Sequence, residues 1–308
     1  MKKSLMIFVA LTFVLMSLPA FANTFGTGGK KGEFYPTGQK ICGQAAEAFL
    51  SCEAVTSGGS TDNVARVKSG EFGLGLAMLP VAQDSGLKFA ELQIGEGSFI
   101  TANPTATSRV MKLVGNMEAA VFPGALKLAA KGRVTFVTIG EGSGETGIMR
   151  KQLAEAGASE SALKVVADQD AFISALQGQD NAFGFFTRIP KPDNSLFVAI
   201  KDNNMQLLGA YNPAFKNPAT KVTTVEIAGF SVKTPVTPVV VVYNSDSEDI
   251  TEIVKIAKGI EIDTLIPKEK TGVWAKLRKF ATSMKEMSGE KIQELSTVVS
   301  EKVAEMNL

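Results

Sequence analysis

Short apolar runs alternate along the chain with segments in which hydrophobic residues recur at helical spacing. The predicted strands are residues 23–27, 53–56, 72–78, 134–139, 163–167, 182–186 and 239–243. One predicted helix begins near residue 38, and others cover 61–67, 147–156 and 171–176. Three more helices are predicted at the end of the chain, the last at 290–306. Residues 94–104, rich in Gly and Thr, are expected to form strand and loop. Strands that alternate with helices predict an α/β fold with mainly parallel sheets.

Two glycine-rich turns, near residues 57–60 and 140–147, each lead from a predicted strand into a predicted helix. In open α/β sheets, ligands bind beyond the carboxyl ends of the strands. A chain of 308 residues is also long for one compact core. We therefore predict two lobes with a cleft between them, the first formed by residues 23–118 and 239–308 and the second by residues 119–238.

The N-terminus has the pattern of a secretory signal peptide. Lys2 and Lys3 precede an apolar run over residues 5–18, and the small-residue motif Ala20-Phe21-Ala22 follows. The alternative is a transmembrane anchor, but the run is shorter than the ~20 residues that a spanning helix needs. We predict cleavage after Ala22 and export of a soluble chain to the bacterial periplasm.

Composition argues against several classes of function. The formal net charge is +1, so the chain has no electrostatic footprint for nucleic acid. Histidine is absent, which removes the commonest metal ligand and excludes Ser-His-Asp and Cys-His catalytic sites. We expect no metal, no cofactor and no enzymatic activity. An enzyme would have to use Glu33, Glu141, Glu145 or Lys30 as its base.

The two cysteines, Cys42 and Cys52, leave two possibilities open. Export favours a disulfide, because the periplasm is oxidising. A straight helix through residues 38–50 would instead place the two residues roughly 15 Å apart, and a bridge needs Cα atoms within about 7 Å. The bridge forms only if the helix ends early and the chain turns back.

The turn after the second predicted strand is a candidate anion site. Its sequence is Ser57-Gly58-Gly59-Ser60-Thr61-Asp62-Asn63. Glycines allow close approach of the backbone, and unpaired N–H groups at a helix N-terminus favour an anion. Hydroxyls of Ser57 and Ser60 are suited to a carboxylate. The alternative is an ordinary loop in which Ser60 or Thr61 caps the helix.

The segment Gly140 to Gly147 repeats this pattern of strand, flexible loop and helix N-terminus. Ser143, Gly144 and Thr146 are its candidate ligand contacts. It is not a nucleotide-binding P-loop, because no Lys-Ser/Thr pair follows, and it is not a nucleophile elbow, because no glycine stands two residues before Ser143. The alternative is again a capped loop, with the Glu145 carboxylate occupying the anion site itself.

A third glycine-rich segment, residues 26–36, follows the first predicted strand. It fails the dinucleotide-binding pattern because Lys31 stands where the last glycine is required. Gly28 and Gly29 form a turn, Tyr35 offers a hydroxyl to a cleft, and Lys30 offers positive charge. Loop lysines are more often simply solvated.

Together these segments resemble the TAXI family, the extracytoplasmic solute receptors of tripartite ATP-independent periplasmic (TRAP) transporters. The resemblance is strongest over residues 24–83. It rests on Gly26-Thr27-Gly28-Gly29, Phe34-Tyr35-Pro36, Gly38, Ser57-Gly58-Gly59-Ser60 with Asn63, Ser69-Gly70-Glu71-Phe72-Gly73, Gly142-Ser143-Gly144, and Asp180-Asn181-Ala182-Phe183-Gly184-Phe185-Phe186-Thr187.

The resemblance implies a type II periplasmic-binding-protein fold and a ligand such as glutamate or a dicarboxylate. It places ligand contacts on the turn at Gly28, on Tyr35, on residues 57–60 and on the loop 143–146, and it makes Asn63 and Thr187 candidates as well. Lys30-Lys31 and Met78-Leu79-Pro80 depart from the family pattern beside the expected cleft. Ligand identity therefore does not carry over.

We expect a monomeric binding protein that closes on a small anionic metabolite and presents it to membrane transporter subunits. Hinge closure would bring helix N-termini of both lobes onto the ligand. Two alternatives remain: a periplasmic sensor subunit without transport, and an enzyme on the same scaffold, since fold does not fix function.

Overall fold

The computed structural model describes residues 23–191, 193–212 and 220–262. The predicted signal peptide and the predicted helix at 290–306 lie outside these residues. The strands are β1 (Asn23–Gly26), β2 (Cys52–Val55), β3 (Leu74–Met78), β4 (Lys88–Ala102), β5 (Thr135–Ile139), β6 (Leu163–Val166), β7 (Ala182–Arg188), β8 (Gln206–Gly209), β9 (Lys221–Ile227) and β10 (Phe230–Tyr243). The helices are α1 (Phe34–Glu47), α2 (Ser60–Ser69), α3 (Leu79–Gln83), α4 (Pro104–Leu113), α5 (Val121–Ala129), α6 (Gly144–Glu155), α7 (Gln169–Leu176), α8 (Ser195–Asp202) and α9 (Glu248–Lys258).

These strands form one mixed sheet in the order β2-β1-β3-β10-β4-β7-β5-β6, with β8 paired to β4 and β9 paired to β10. The pairs of β1 with β2 and β3, and of β5 with β6 and β7, are parallel. The antiparallel pairs all involve the long strands β4 and β10. The predicted α/β fold class is confirmed, with parallel groups at both ends of the sheet.

The long strands β4 and β10 connect the two parallel groups. The first part of β4 pairs with β10 up to Gly97, and from there β4 pairs with β7 and β8. The register between β10 and β4 shifts between Pro238 and Val240. Before this shift in register β10 pairs with β9, and after it β10 pairs with β3. Each parallel group therefore has its own helices and core.

The helices follow ordinary sequence logic, as α9 illustrates. Ser247 caps its N-terminus by accepting the Ile250 N–H at 3.4 Å. Acidic residues occupy its first turn and lysines its last, which suits the helix dipole. Its apolar face, with Ile253 at the centre, is buried in the core of the first parallel group. Burial of this face stabilises the helix more than intrinsic propensity does.

Phenylalanines dominate the core around β4 and β7. Phe99 stacks on Phe186 with ring centroids 5.5 Å apart and meets the edge of Phe197 at 5.1 Å. A second cluster on the other sheet face contains Ala106 and Val110 of α4 together with residues of α5 and β5. The predicted lobe boundary at 118/119 stays a prediction, and α4 packs in the core of the second parallel group.

Cys42 and Cys52 form a disulfide, with Cα atoms 5.0 Å apart. Helix α1 ends at Glu47, and Phe49 adopts the left-handed conformation with φ of 60°. The Leu50 N–H then bonds the Ala45 carbonyl at 2.9 Å, which closes the reversal. The early helix end therefore removes the separation that a straight helix would impose.

Several elements differ from the sequence expectation, among them β10, which begins at Phe230 rather than at residue 239. Two other differences have a clear physical reason. Helix α1 begins at Phe34 rather than near residue 38, because Pro36 falls in the first turn, where a missing N–H costs nothing. Residues 94–104, expected as strand and loop, belong mostly to the 15-residue strand β4. Gly97 is needed there because a Cβ would lie 2.7 Å from the Phe99 ring.

Candidate functional site

A cavity of about 430 Å³ lies where strands of both parallel groups end. Its lining combines the loop after β1, the turn before α2, the end of β3, the turn before α6, the loop between β6 and α7, and the end of β7. The residues are Gly28, Gly29, Lys30, Lys31, Gly32, Glu33, Phe34, Ser57, Gly58, Gly59, Ser60, Met78, Glu96, Ile139, Gly140, Ser143, Gly144, Glu145, Ala167, Asp168, Gln169, Thr187 and Arg188. Their position at carboxyl ends of strands matches the usual ligand site of open α/β sheets.

The two predicted turns face each other directly. A Cβ on Gly58 would lie 3.1 Å from the Gly142 Cα, and a Cβ on Gly59 would lie 3.3 Å from the Ser143 Cα. The Asp62 N–H donates to the Gly142 carbonyl at 3.3 Å. The turns are thus in backbone contact at one edge of the cavity, an approach that glycine permits.

The hydroxyls of these turns are engaged within the protein. Ser57 Oγ donates to the Thr27 carbonyl at 3.1 Å and accepts the Gly59 N–H at 3.0 Å. Ser60 Oγ accepts the Met78 N–H at 3.1 Å. Ser143 caps α6 by accepting the Thr146 N–H at 3.1 Å. These bonds fix the shape of the turns and place each hydroxyl at the cavity wall.

Most predicted contact residues line the cavity. They are Gly28, Gly29, Lys30, Ser57, Gly58, Gly59, Ser60, Ser143, Gly144 and Thr187. Lys30 is exposed, at the rim. The N–H groups of Ser60, Gly144 and Glu145 belong to first helical turns and precede the intrahelical bonding pattern, so they are donors suited to an anionic ligand group.

Tyr35, Asn63 and Thr146 are not among the lining residues. Tyr35 lies in α1 and its hydroxyl accepts a bond from Gln39 at 3.3 Å. Asn63 is fully buried and donates to the Thr27 and Leu76 carbonyls at 2.6 and 2.7 Å. Thr146 is also buried, and its hydroxyl contacts Thr138 and Gly140 at 2.8 Å.

Of the charged residues on the floor of the cavity, sequence reasoning named Glu33 and Glu145 but missed Glu96 and Arg188. Glu145 is 3% exposed, and its carboxylate pairs with Arg188 at 2.9 Å. Glu96, in β4, is 6% exposed. Glu33, at the start of α1, pairs with Lys191 and accepts an Asn194 bond at 3.1 Å. The sequence signal for Arg188 was a cation two residues after the predicted strand 182–186, where ligands are expected at strand ends.

Burial shapes the protonation of these carboxyls. It raises the pKa of Glu96 to about 8, against the opposing attraction of Arg188 and with added repulsion from Glu145 and Glu33. Burial also raises the pKa of Glu145, while Arg188 and the backbone N–H groups of Thr187 and Ile139 oppose the rise. Glu96 is therefore mostly a neutral carboxyl at pH 7, able to donate as well as accept a hydrogen bond.

A larger groove, of about 1060 Å³, lies at the opposite ends of β5 and β7. Its lining includes Val134, Asn181 and the side chains of Arg109, Lys112 and Arg133. These cations are exposed, and the groove adjoins the amino ends of the strands. Size alone favours this groove, but strand polarity and buried polar groups favour the smaller cavity.

Residues 25–257 match the model of the NMT1-like family. The chain belongs to this family. Every residue lining the cavity falls within the matched segment of the NMT1-like protein. A search of curated proteins found no significant match.

Three solved structures are similar to this NMT1-like chain. The GluR0 ligand-binding core in complex with L-glutamate aligns at 14% identity, over 78% of this chain and 91% of its own, with a TM-score of 0.48. An ABC-type phosphate transport receptor from Vibrio cholerae aligns at 13% identity over 77% and 93%, with a TM-score of 0.43. The effector-binding domain of QuiR in complex with shikimate aligns at 11% identity over 76% and 93%, with a TM-score of 0.45.

Within the part of the chain that the structure describes, no helix is long and apolar enough to cross a membrane. The same residues contain no group of three or more His, Cys, Asp or Glu side chains placed to hold a metal ion.

Proposed function

We propose that this protein is an exported solute-binding subunit that captures a small anionic metabolite in the cavity and performs no chemistry on it. The TAXI-like motifs identified in the sequence support delivery to the membrane subunits of a TRAP-type transporter. The signal-peptide pattern and the disulfide support a periplasmic location, since disulfides persist in oxidising compartments. The ligand classes to be tested are amino acids, keto acids and dicarboxylates.

The observation that carries this proposal is the contact between the two glycine turns. Residues of the first parallel group, at Gly58, and of the second, at Gly142, close one edge of a cavity whose lining includes charged and hydroxyl-bearing residues. A volume of about 430 Å³ falls within the range of small-molecule sites. The first turns of α2 and α6 both line the cavity, and N–H groups at helix N-termini favour an anionic ligand.

Further contacts between the two groups support a closed form that opens to admit ligand. Thr61 Oγ1 donates to the Ser143 carbonyl at 3.4 Å, and Glu33 pairs with Lys191. Among the described strands, only β4 and β10 run through both groups. We place the hinge where their pairing changes, near Gly97 and Pro238. A hinge there would place the second part of β4 and helix α4 in lobe two, which would begin near residue 98 rather than at the predicted residue 119.

A thermal-shift screen of the purified protein tests the proposal. A ligand that binds only the folded state at 100 times its Kd stabilises it by about 2.7 kcal/mol. We expect a concentration-dependent rise in Tm with at least one amino acid, keto acid or dicarboxylate, and none with neutral sugars or polyamines. Absence of a rise with every anionic compound in the panel would contradict the proposal. Permease genes beside this gene would support transport, and a sensor-kinase gene would support sensing.

A further inference from the structure

Glu145 fills the gap between two strands that diverge. Parallel strands β5 and β7 pair only as far as Val137 and Gly184. Beyond that pair, the Ile139 N–H donates to Glu145 Oε1 at 3.2 Å and the Thr187 N–H donates to Glu145 Oε2 at 3.1 Å. The crevice between the carboxyl ends of the strands, where ligands of open α/β sheets bind, therefore holds the chain's own carboxylate.

The groups around this carboxylate make up a complete anion site. Two backbone N–H groups from different strands converge on it, and Arg188 Nη1 lies 2.9 Å from Oε2. Glu145 is 3% exposed and the Arg188 side chain 20%. Charge-assisted bonds from a guanidinium and backbone amides, shielded from water, are the strongest that proteins offer to a carboxylate.

We propose that Glu145 is a specificity-determining residue: it occupies the anion site at the ends of β5 and β7, so that the protein rejects a second negative group on its ligand. The ligand's single anionic group is then held by the glycine turns of the first parallel group. The ligand end that meets Glu145 is neutral or positively charged. The rejection of a second anionic group on the ligand rests on the proposed function, whereas the occupation of the anion site by Glu145 does not.

The rest of the cavity floor supports this assignment. Glu96 is buried beside Arg188, and Glu33 lies at the same wall. Ionisation of Glu96 is already disfavoured by burial and by its neighbours Glu145 and Glu33. A dianionic ligand would place a second negative charge beside these carboxyl groups, and the Arg188 guanidinium would already be paired with Glu145. Like-charge contacts of this kind are a common means of rejecting the wrong ligand.

The test removes the internal carboxylate and supplies a free one. E145A leaves Arg188 without its partner, which should lower Tm by about 10 °C. Sodium formate should restore at least half of that loss in a saturable manner, compared with sodium chloride at equal ionic strength. E141A is the matched control: Glu141 lies in the same loop and pairs with Arg150 at its exposed surface. Formate should stabilise E145A more than it stabilises wild type or E141A, in which Glu145 still occupies the site beside Arg188.

A second variant covers the possibility that Glu96 takes over the pairing. In E145A/E96Q neither carboxyl remains, so formate rescue should be at least as large. If a variant is too unstable to purify, refolding yield with and without formate gives the same comparison. Formate that stabilises neither variant more than chloride does would overturn the built-in anion site.

The ligand consequence has a separate readout. In the thermal-shift panel, we expect monocarboxylates to stabilise the wild type and succinate to have no effect, with E145A gaining a response to succinate. Stabilisation of the wild type by succinate, saturable and equal to that by monocarboxylates, would overturn the exclusion of a second anionic group. A panel without any response would contradict the proposed function, while formate rescue of E145A would still establish the built-in site.

Discussion

Gly58 and Gly142 approach each other so closely that a methyl group on either one would lie 3.1 Å from the Cα of the other. They belong to turns 84 positions apart in sequence, each following the end of a parallel strand. The contact is between backbones, so neither side can yield by rotating a side chain. This pair is the point at which the two halves of the cavity wall meet.

G142A should therefore hinder closure without unfolding either half. The new Cβ would meet the Gly58 backbone and the Asp62 Cβ, both at 3.1 Å. We expect ligand affinity to fall about tenfold, equivalent to about 1.4 kcal/mol, with a small change in the Tm of the free protein. Calorimetric titration with a ligand from the thermal-shift panel measures the effect.

G43A is the matched control for that substitution. Gly43 lies in α1, and a Cβ there would meet no atom within 4 Å. Alanine should stabilise this helix by up to ~1 kcal/mol and leave affinity unchanged. Equal affinity for G142A and G43A would show that the turn contact does not control binding.

Loss of the Cys42–Cys52 disulfide should destabilise the protein. The bridge joins residues ten apart in sequence, and closure of such a loop contributes about 3 kcal/mol through the unfolded chain. C42A/C52A and reduced wild type should both show a lower denaturation midpoint in urea. A reductant should have no further effect on C42A/C52A. Equal midpoints for oxidised and reduced wild type would contradict the prediction.

Glu96 should make stability fall as pH rises. Its pKa is about 8 in the folded protein against 4.5 for a solvated glutamate, so the folded state holds a proton that the unfolded state has released between these values. The resulting loss in the free energy of unfolding is complete above about pH 8 and amounts to ~5 kcal/mol at most. E96Q removes the titrating carboxyl and with it this pH dependence of stability. Urea unfolding should show E96Q and wild type similar near pH 4.5 and E96Q more stable at pH 9. A constant difference across this range would contradict the prediction.

Asn63 should matter for stability rather than for ligand contact. Its amide links the Thr27 and Leu76 carbonyls, and it packs against Gly75, where a Cβ would lie 2.9 Å from the Asn63 Cβ. N63A should cost about 2–3 kcal/mol, because buried carbonyls lose their donor. The exposed N203A serves as a control with little effect. A stable N63A with weakened ligand affinity would instead support the ligand contact predicted from sequence.

Local sequence signals predicted the turns but not the floor of the cavity. Ser57 to Ser60 and Ser143 could be found because glycine, hydroxyl and helix start are neighbours in the chain. Arg188, Glu96 and Glu145 come together only through the pairing of β4, β5 and β7, which no local pattern encodes. The alternative that Glu145 occupies the anion site could be stated from the sequence, but its partner Arg188 could not.

The same difference between local signals and long-range packing explains why residues 94–104 were expected as strand and loop but belong mostly to β4. Gly95 and Gly97 suggested a loop, because glycine is depleted in strands. In the fold, the glycine at 97 makes room for Phe99, whose ring packs with Phe186 and Phe197 from distant elements. Tertiary packing thus overrides local strand propensity at Gly97, where we propose part of the hinge.

The position of a bound ligand tests the central claim most directly. A crystal structure of the protein with the compound that stabilises it most should show that compound between the Gly28 loop, the turn at 57–60 and Gly144, with an anionic group near first-turn N–H groups. A compound bound instead in the larger groove beside Arg109 and Arg133, with the cavity between the glycine turns empty, would contradict the account.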